Sequence, residues 1–141
     1  MQIVEPHQVQ DTQMPPVWAQ HWSASRDDPY RFVVGVLNIR SPEWLRPELD
    51  DETPQMEPWQ AKVLKALRDG EKRLSIRSGH GTGKTALLSW LVLWALLCHQ
   101  DVKCPFGANS QDQLRDTVWP EIAKWAKRLP EPLREQIDVQ G

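Results

Sequence analysis

The chain has 141 residues, 40% hydrophobic and 26% charged, with a formal net charge of −2 at pH 7, which is one globular, soluble-type domain able to bury a moderate core. The balance carries no general signature of a nucleic-acid binder, Met1 to Gln10 lacks the apolar core of a secretory signal, and the apolar run Ala86 to Cys98 is too short to span a bilayer. Cys98 and Cys104 both fall in apolar stretches and read as core thiols, with no Cys or His partners to complete a zinc site, so a cytosolic protein is expected.

Residues 1–26 are rich in Gln and Pro, with Trp18 and Trp22 scattered among them, and show no sustained period; they read as a flexible arm. Residues 27–57 read as a helix followed by a Pro-rich linker. Asp28-Pro29 is a start signal, with Asp28 at the cap and Pro29 in the first turn. A helix to about Asn38 places Phe32, Val33, Val36 and Leu37 on one face; the same β-branched content also suits a strand, and the helix is favoured. Ser41 to Glu57 holds three prolines and the acidic run Asp50-Asp51-Glu52, the signs of a loop.

A clearer helix starts at Pro58, with Trp59, Val63 and Leu67 recurring every fourth residue, and Gly70 ends it in the left-handed conformation. Leu74 to Arg77 reads as a short strand. From Lys84 to His99 the sequence is apolar nearly all round and predicts a buried helix. Asp101 to Ala108 is the natural second strand, at an edge or broken at Pro105. A helical stripe of Leu114, Val118, Ile122, Trp125 and Leu129 follows, kinked or restarted at Pro120 and closed by Pro130 and Pro132. A weak strand signal remains at Ile137-Asp138-Val139.

The chemistry concentrates in Ser78-Gly79-His80-Gly81-Thr82-Gly83-Lys84-Thr85, a Walker A phosphate-binding loop in which Ser78 stands where the first Gly is expected. Small residues let the backbone curl until successive N–H groups point at a polyphosphate, and side chains at Gly81 or Gly83 would crowd that path. Lys84 is the candidate cation for the β- and γ-phosphates of ATP, and Thr85 the candidate hydroxyl ligand of Mg²⁺. The helix beginning near Gly83 aims the positive end of its dipole at the same anion. Charge follows this division. Residues 1–57 hold four basic and ten acidic side chains, and residues 58–141 hold thirteen and nine, a mild positive bias compatible with DNA contact.

The order Pro58-Trp59-Gln60, helix, Gly70, strand, phosphate loop, apolar helix, Ala108-Asn109-Ser110, Gln113-Leu114-Arg115 and Trp119-Pro120-Glu121-Ile122 resembles the N-terminal ATPase part of a bacteriophage terminase large subunit, over about residues 27–135. The resemblance implies an α/β P-loop NTPase of RecA-like, ASCE type, a parallel sheet with flanking helices, with residues 58–141 as its N-terminal portion. It implies a motor that hydrolyses ATP to package double-stranded viral DNA into capsids. The full-length protein would work as a homo-oligomer with a portal protein and a terminase small subunit, in the cytoplasm of the bacterial host.

By the same resemblance Gln60 hydrogen-bonds the adenine edge while Trp59 walls the base; the plainer reading makes Trp59 core and Gln60 a surface residue. Ala108-Asn109-Ser110 corresponds to a small-residue loop that touches nucleic acid in related motors, or simply caps a helix. His80 departs from the family, where an Arg often stands four residues before the Lys, and Arg77 is the candidate substitute as a catalytic cation.

No apolar strand ending in an acidic pair follows within the roughly 60 residues after the loop, and the nuclease carboxylates of the family are missing. Asp138 is the one late acid near a strand signal. The chain is therefore expected to be incomplete at its C-terminus, binding nucleotide without turning it over at a motor-like rate. A helicase-like P-loop ATPase shares the Gln-helix-loop order, and a non-catalytic interaction module with an acidic, Trp-containing leader is the alternative from another class.

Overall fold

The computed structural model describes residues 15–75, 83–99 and 114–137. Six α-helices are present among them: α1 (Val17–Ser23), α2 (Pro29–Gly35), α3 (Pro58–Arg68), α4 (Lys84–Cys98), α5 (Trp119–Ala126) and α6 (Glu131–Arg134), with a π-helical turn at Leu114–Val118 leading into α5. They share one apolar core, to which α2 and the residues after it contribute Phe32, Val33, Val34, Val36, Leu37 and Ile39, all fully buried.

Among the described residues there is no β-strand, only two isolated bridges, Arg40 with Gln55 and Ser41 with Trp44. This corrects the expected RecA-like α/β architecture with its parallel sheet. The apolar faces that a sheet would cover are instead covered helix on helix. Leu74 and Ser75, expected in the first strand, have no ladder partner, and Leu74 is exposed. Ile76 and Arg77, and the second expected strand from Asp101 to Ala108, lie outside the described residues, as does most of the weak signal at residues 137–139.

The first element the sequence did not announce is α1, within the stretch read as a flexible arm. It is tied to the far end of α4. The Trp22 indole N–H donates to the Leu97 carbonyl at 3.1 Å, and the Trp94 indole N–H donates to the Ser25 carbonyl at 2.6 Å. These reciprocal bonds lay α1 and the turn after it along the C-terminal half of α4. His21 packs so closely on Gly35 that a β-carbon there would overlap its ring.

α2 forms where its cap predicts: the Asp28 carboxylate accepts the Arg31 N–H at 3.0 Å and Pro29 occupies the first turn. It stops three residues earlier than expected, and Asn38 takes a left-handed φ of 56°. A helix end buried this deeply leaves carbonyls without water, and two arginines supply the donors. Arg46 Nη1 donates to the Val34 carbonyl at 2.7 Å, while Arg128 Nε and Nη2 donate to the Leu37 and Asn38 carbonyls, each at 3.0 Å. Cationic groups at a helix C-terminus also complement its dipole.

α3 and α4 follow the sequence closely. Gly70 ends α3 with φ 103°, and α4 buries Leu87, Ser89, Trp90, Val92, Leu93 and Leu97. Pro120 falls in the first turn of α5, where its missing N–H costs nothing, so the helical stripe restarts there after the π turn. Pro130 and Pro132, read as closing the segment, flank the start of the short α6. No helix among the described residues is long and apolar enough to cross a membrane.

Candidate nucleotide site

Of the residues singled out for phosphate binding, Gly83, Lys84 and Thr85 are described; Arg77, Ser78, Gly79, His80, Gly81 and Thr82 lie outside the described residues. Gly83 is the N-cap of α4 with φ 94°, a conformation that side chains disfavour, and no described side chain caps the helix. The regular ladder begins with the Leu87 N–H on the Gly83 carbonyl at 3.0 Å. The first-turn N–H groups of Lys84, Thr85 and Ala86 therefore lack intrahelical acceptors, the arrangement that makes a helix N-terminus attract anions, and Lys84 is the first residue of this turn. The Thr85 carbonyl accepts the Ser89 hydroxyl at 2.8 Å inside the helix.

Gln60 is brought to this point from α3. It is only 4% exposed, and its carboxamide is used at both ends. The oxygen accepts the Glu57 N–H at 2.7 Å, fixing the start of α3, and Nε2 donates to the Gly83 carbonyl at 2.9 Å. A carboxamide offers two donors and two acceptor sites, so one N–H and one lone pair remain. That pair is the complement of an adenine edge, which presents an adjacent donor and acceptor. The surface-residue reading of Gln60 is thus excluded by its burial.

A pocket of about 460 Å³ opens at this junction, lined by Trp59 and Gln60 of α3, Gly83, Ala86 and Trp90 at α4, Trp125 of α5, and residues from the Ile39 and Pro54–Glu57 segments. Its size and its three tryptophans suit a small planar ligand. Trp59 is half-buried and stands beside Gly83. Trp90 and Trp125 meet edge to face, with ring centroids 5.3 Å apart, and both are nearly covered. The Trp90 indole N–H is buried with no acceptor among the described residues. The Trp125 N–H donates to Glu121 Oε1 at 2.8 Å, within α5.

The sequence reading named Trp59, Gln60, Gly83, Lys84 and Thr85 and missed Trp90 and Trp125. Trp90 lies seven residues after Gly83, two helical turns, and so on the same side of α4; that spacing was the available signal. Trp125 carried none, because its place on an apolar stripe is equally that of a core residue. Among the described residues no group of three or more His, Cys, Asp or Glu side chains could hold a metal ion, and Thr85, the expected Mg²⁺ ligand, is described. Ala108-Asn109-Ser110 and Cys104 lie outside the described residues. Cys98 is half-buried, and burial pushes its thiol up to about 12, as a core thiol requires.

The chain matches no known protein family, no curated protein and no solved structure.

Proposed function

We propose that this chain is the ATP-binding part of a terminase-type DNA-packaging ATPase, a nucleotide-binding polypeptide whose hydrolytic and nuclease residues are not among those of this sequence. The observation that carries the reading is the bond from Gln60 to the Gly83 carbonyl. It joins the Pro-Trp-Gln segment to the residue immediately before the phosphate-loop lysine, 23 positions away, at the mouth of an aromatic pocket. The proposal rests on this junction and on the loop sequence.

In this reading the adenine enters the pocket with its edge on the free donor and acceptor of Gln60 and one face along Trp59. The polyphosphate runs past Gly83 to the open end of α4, where the first-turn N–H groups and Lys84 meet its charge. Thr85 would offer its hydroxyl to Mg²⁺, which would supply neutralisation of the polyphosphate charge. Viral DNA, a portal protein, a terminase small subunit and further copies of the full-length protein are its partners in the bacterial cytoplasm.

The test is equilibrium binding of ATP with Mg²⁺ to the 141-residue chain. Lys84→Ala abolishes binding while leaving the urea midpoint within experimental error, since the lysine is a loop-end cation and not core. Gln60→Glu, which removes both the spare donor and the Nε2 bond to the Gly83 carbonyl, weakens ATP binding. Unchanged ATP affinity in Lys84→Ala would remove the proposal.

A further inference from the structure

α1 is the least anchored of the longer helices. It has seven residues, none of them fully buried, and no side chain caps its N-terminus. A segment with so few buried contacts opens before the rest of a protein does. Besides the two indole bonds that join it and the turn after it to α4, its hold on the fold centres on His21. The ring lies against the buried Gly35 of α2 and meets the Trp44 ring edge to face, with centroids 5.9 Å apart. Nδ1 accepts the Arg31 Nε–H at 3.2 Å, which requires that nitrogen to be unprotonated. The His21 carbonyl accepts the Ser25 hydroxyl and so ties the ring to the turn that Trp94 holds.

The charges set against this ring are positive. Arg31 of α2 and Arg46 of the segment joining α2 to α3 act on it, and Lys65 and Arg68 of α3 lie beyond Trp44, over the Tyr30 ring. The carboxylates of these elements are committed elsewhere, Asp28 to the Arg31 N–H, Glu48 to Arg46, Glu43 to Lys65 and Asp69 to Arg68, while Asp27 is exposed on the turn. On the α4 side the titratable neighbour is His99, packed edge-on against Trp94. A second proton on His21 would break the Arg31 bond and set an imidazolium among guanidiniums; a ring freed into water carries that proton without the cost.

We propose that His21 is a proton-operated latch, whose protonation releases α1 from α2 and from the C-terminal half of α4 while the other helices stay packed. Trp22 and Ser23 of α1, with Arg26, line a depression of about 280 Å³ together with Leu97 and Cys98 of α4, so release uncovers those two residues. With the ring neutral when latched and titrating at about 6.5 when free, the release equilibrium rises about tenfold between about pH 7.5 and 5.5.

The experiment follows Cys98 in the whole 141-residue chain carrying Cys104→Ser, labelled with a dipyridyl disulfide, with protection taken at each pH as the rate in denaturant over the rate without it. Expected is a fall in protection of about tenfold across that pH range, changed little by low urea because opening α1 exposes little surface. His21→Asn, neutral throughout, removes the pH dependence whatever it does to the level of protection, and so separates His21 from His99. Gly35→Ala puts a β-carbon where the ring sits and lowers protection already at about pH 7.5; alanine is favoured over glycine within a helix, so α2 itself is not weakened. Protection that is constant with pH, that keeps its pH dependence in His21→Asn, or that falls with urea as steeply as global unfolding overturns the proposal. So does undiminished protection in Gly35→Ala.

Discussion

Replacing Gly83 by alanine tests the nucleotide junction through its mechanics. At φ 94° a side chain costs about 1–2 kcal/mol in backbone strain. The new β-carbon would also stand 2.5 Å from Gln60 Nε2, well inside contact, and relieving that overlap pushes the carboxamide off the Gly83 carbonyl. The lost hydrogen bond adds roughly 1 kcal/mol, for a total of roughly 2–3 kcal/mol. Gly70 supplies the control. It has φ 103° and nothing within 4 Å of where a β-carbon would stand, so Gly70→Ala carries the strain alone. In urea denaturation followed by tryptophan fluorescence, Gly83→Ala moves the midpoint down by about 1 M and Gly70→Ala by about half as much, for a slope of roughly 2 kcal/mol per M. In a Gln60→Ala background the excess cost of Gly83→Ala disappears, leaving a coupling of about 1 kcal/mol. Equal costs at Gly83 and Gly70, or no coupling to Gln60, would refute the argument.

Other consequences are equally direct. Arg128→Ala strips donors from the Leu37 and Asn38 carbonyls and destabilises by roughly 2–4 kcal/mol in the same assay; Arg128→Lys fails to restore most of it, because a single ammonium cannot span both carbonyls. Burial, with the Arg31 and Arg46 guanidiniums, holds the His21 imidazole below its ordinary pKa, and its Nδ1 accepts the Arg31 Nε–H at 3.2 Å. The unfolded chain therefore binds the proton that the folded one resists, so His21's contribution is full above about pH 6.5 and is lost as pH falls below it; His21→Asn flattens the urea midpoint between about pH 7.5 and 5.5. In a Cys104→Ser background, the Cys98 thiol, pushed up to about 12, reacts with iodoacetamide at about pH 8 at least about tenfold more slowly when folded than in denaturant.

What could be read from the sequence was what local chemistry decides. Asp28-Pro29, Pro58 and Gly70 announce helix ends because caps and left-handed glycines act within a few residues, and each is found in that role. α1 was not legible. Seven residues give too little length for a period to register, and the bonds that hold it, Trp22 to Leu97 and Trp94 to Ser25, join positions 75 and 69 apart. The sheet went wrong for a different reason. It was an extrapolation from the phosphate-loop motif, which specifies how a backbone curls around an anion and says little about what flanks it. Phe32 to Leu37 also suited a strand, but the favoured helix forms over Pro29–Gly35, whereas Leu74, expected in the first strand, is exposed.

The candidate site shows both regimes at once. Gly83 and Lys84 are legible because the motif is contiguous, whereas the pocket beside them is assembled from α3, α4 and α5, and only Trp59 and Gln60 carried a sequence signal. Gln60 explains why these parts belong together. A buried carboxamide is costly unless its groups are satisfied, and here half its capacity is spent on structure, bracing the start of α3 against the cap of α4. The other half is left facing a pocket. A glutamine serving the start of α3 alone would need only the Glu57 contact; reaching across to the Gly83 carbonyl puts Nε2 where a side chain at Gly83 would collide with it. The same bond that stabilises the helix pair therefore holds the N-terminus of α4 and the pocket in fixed register.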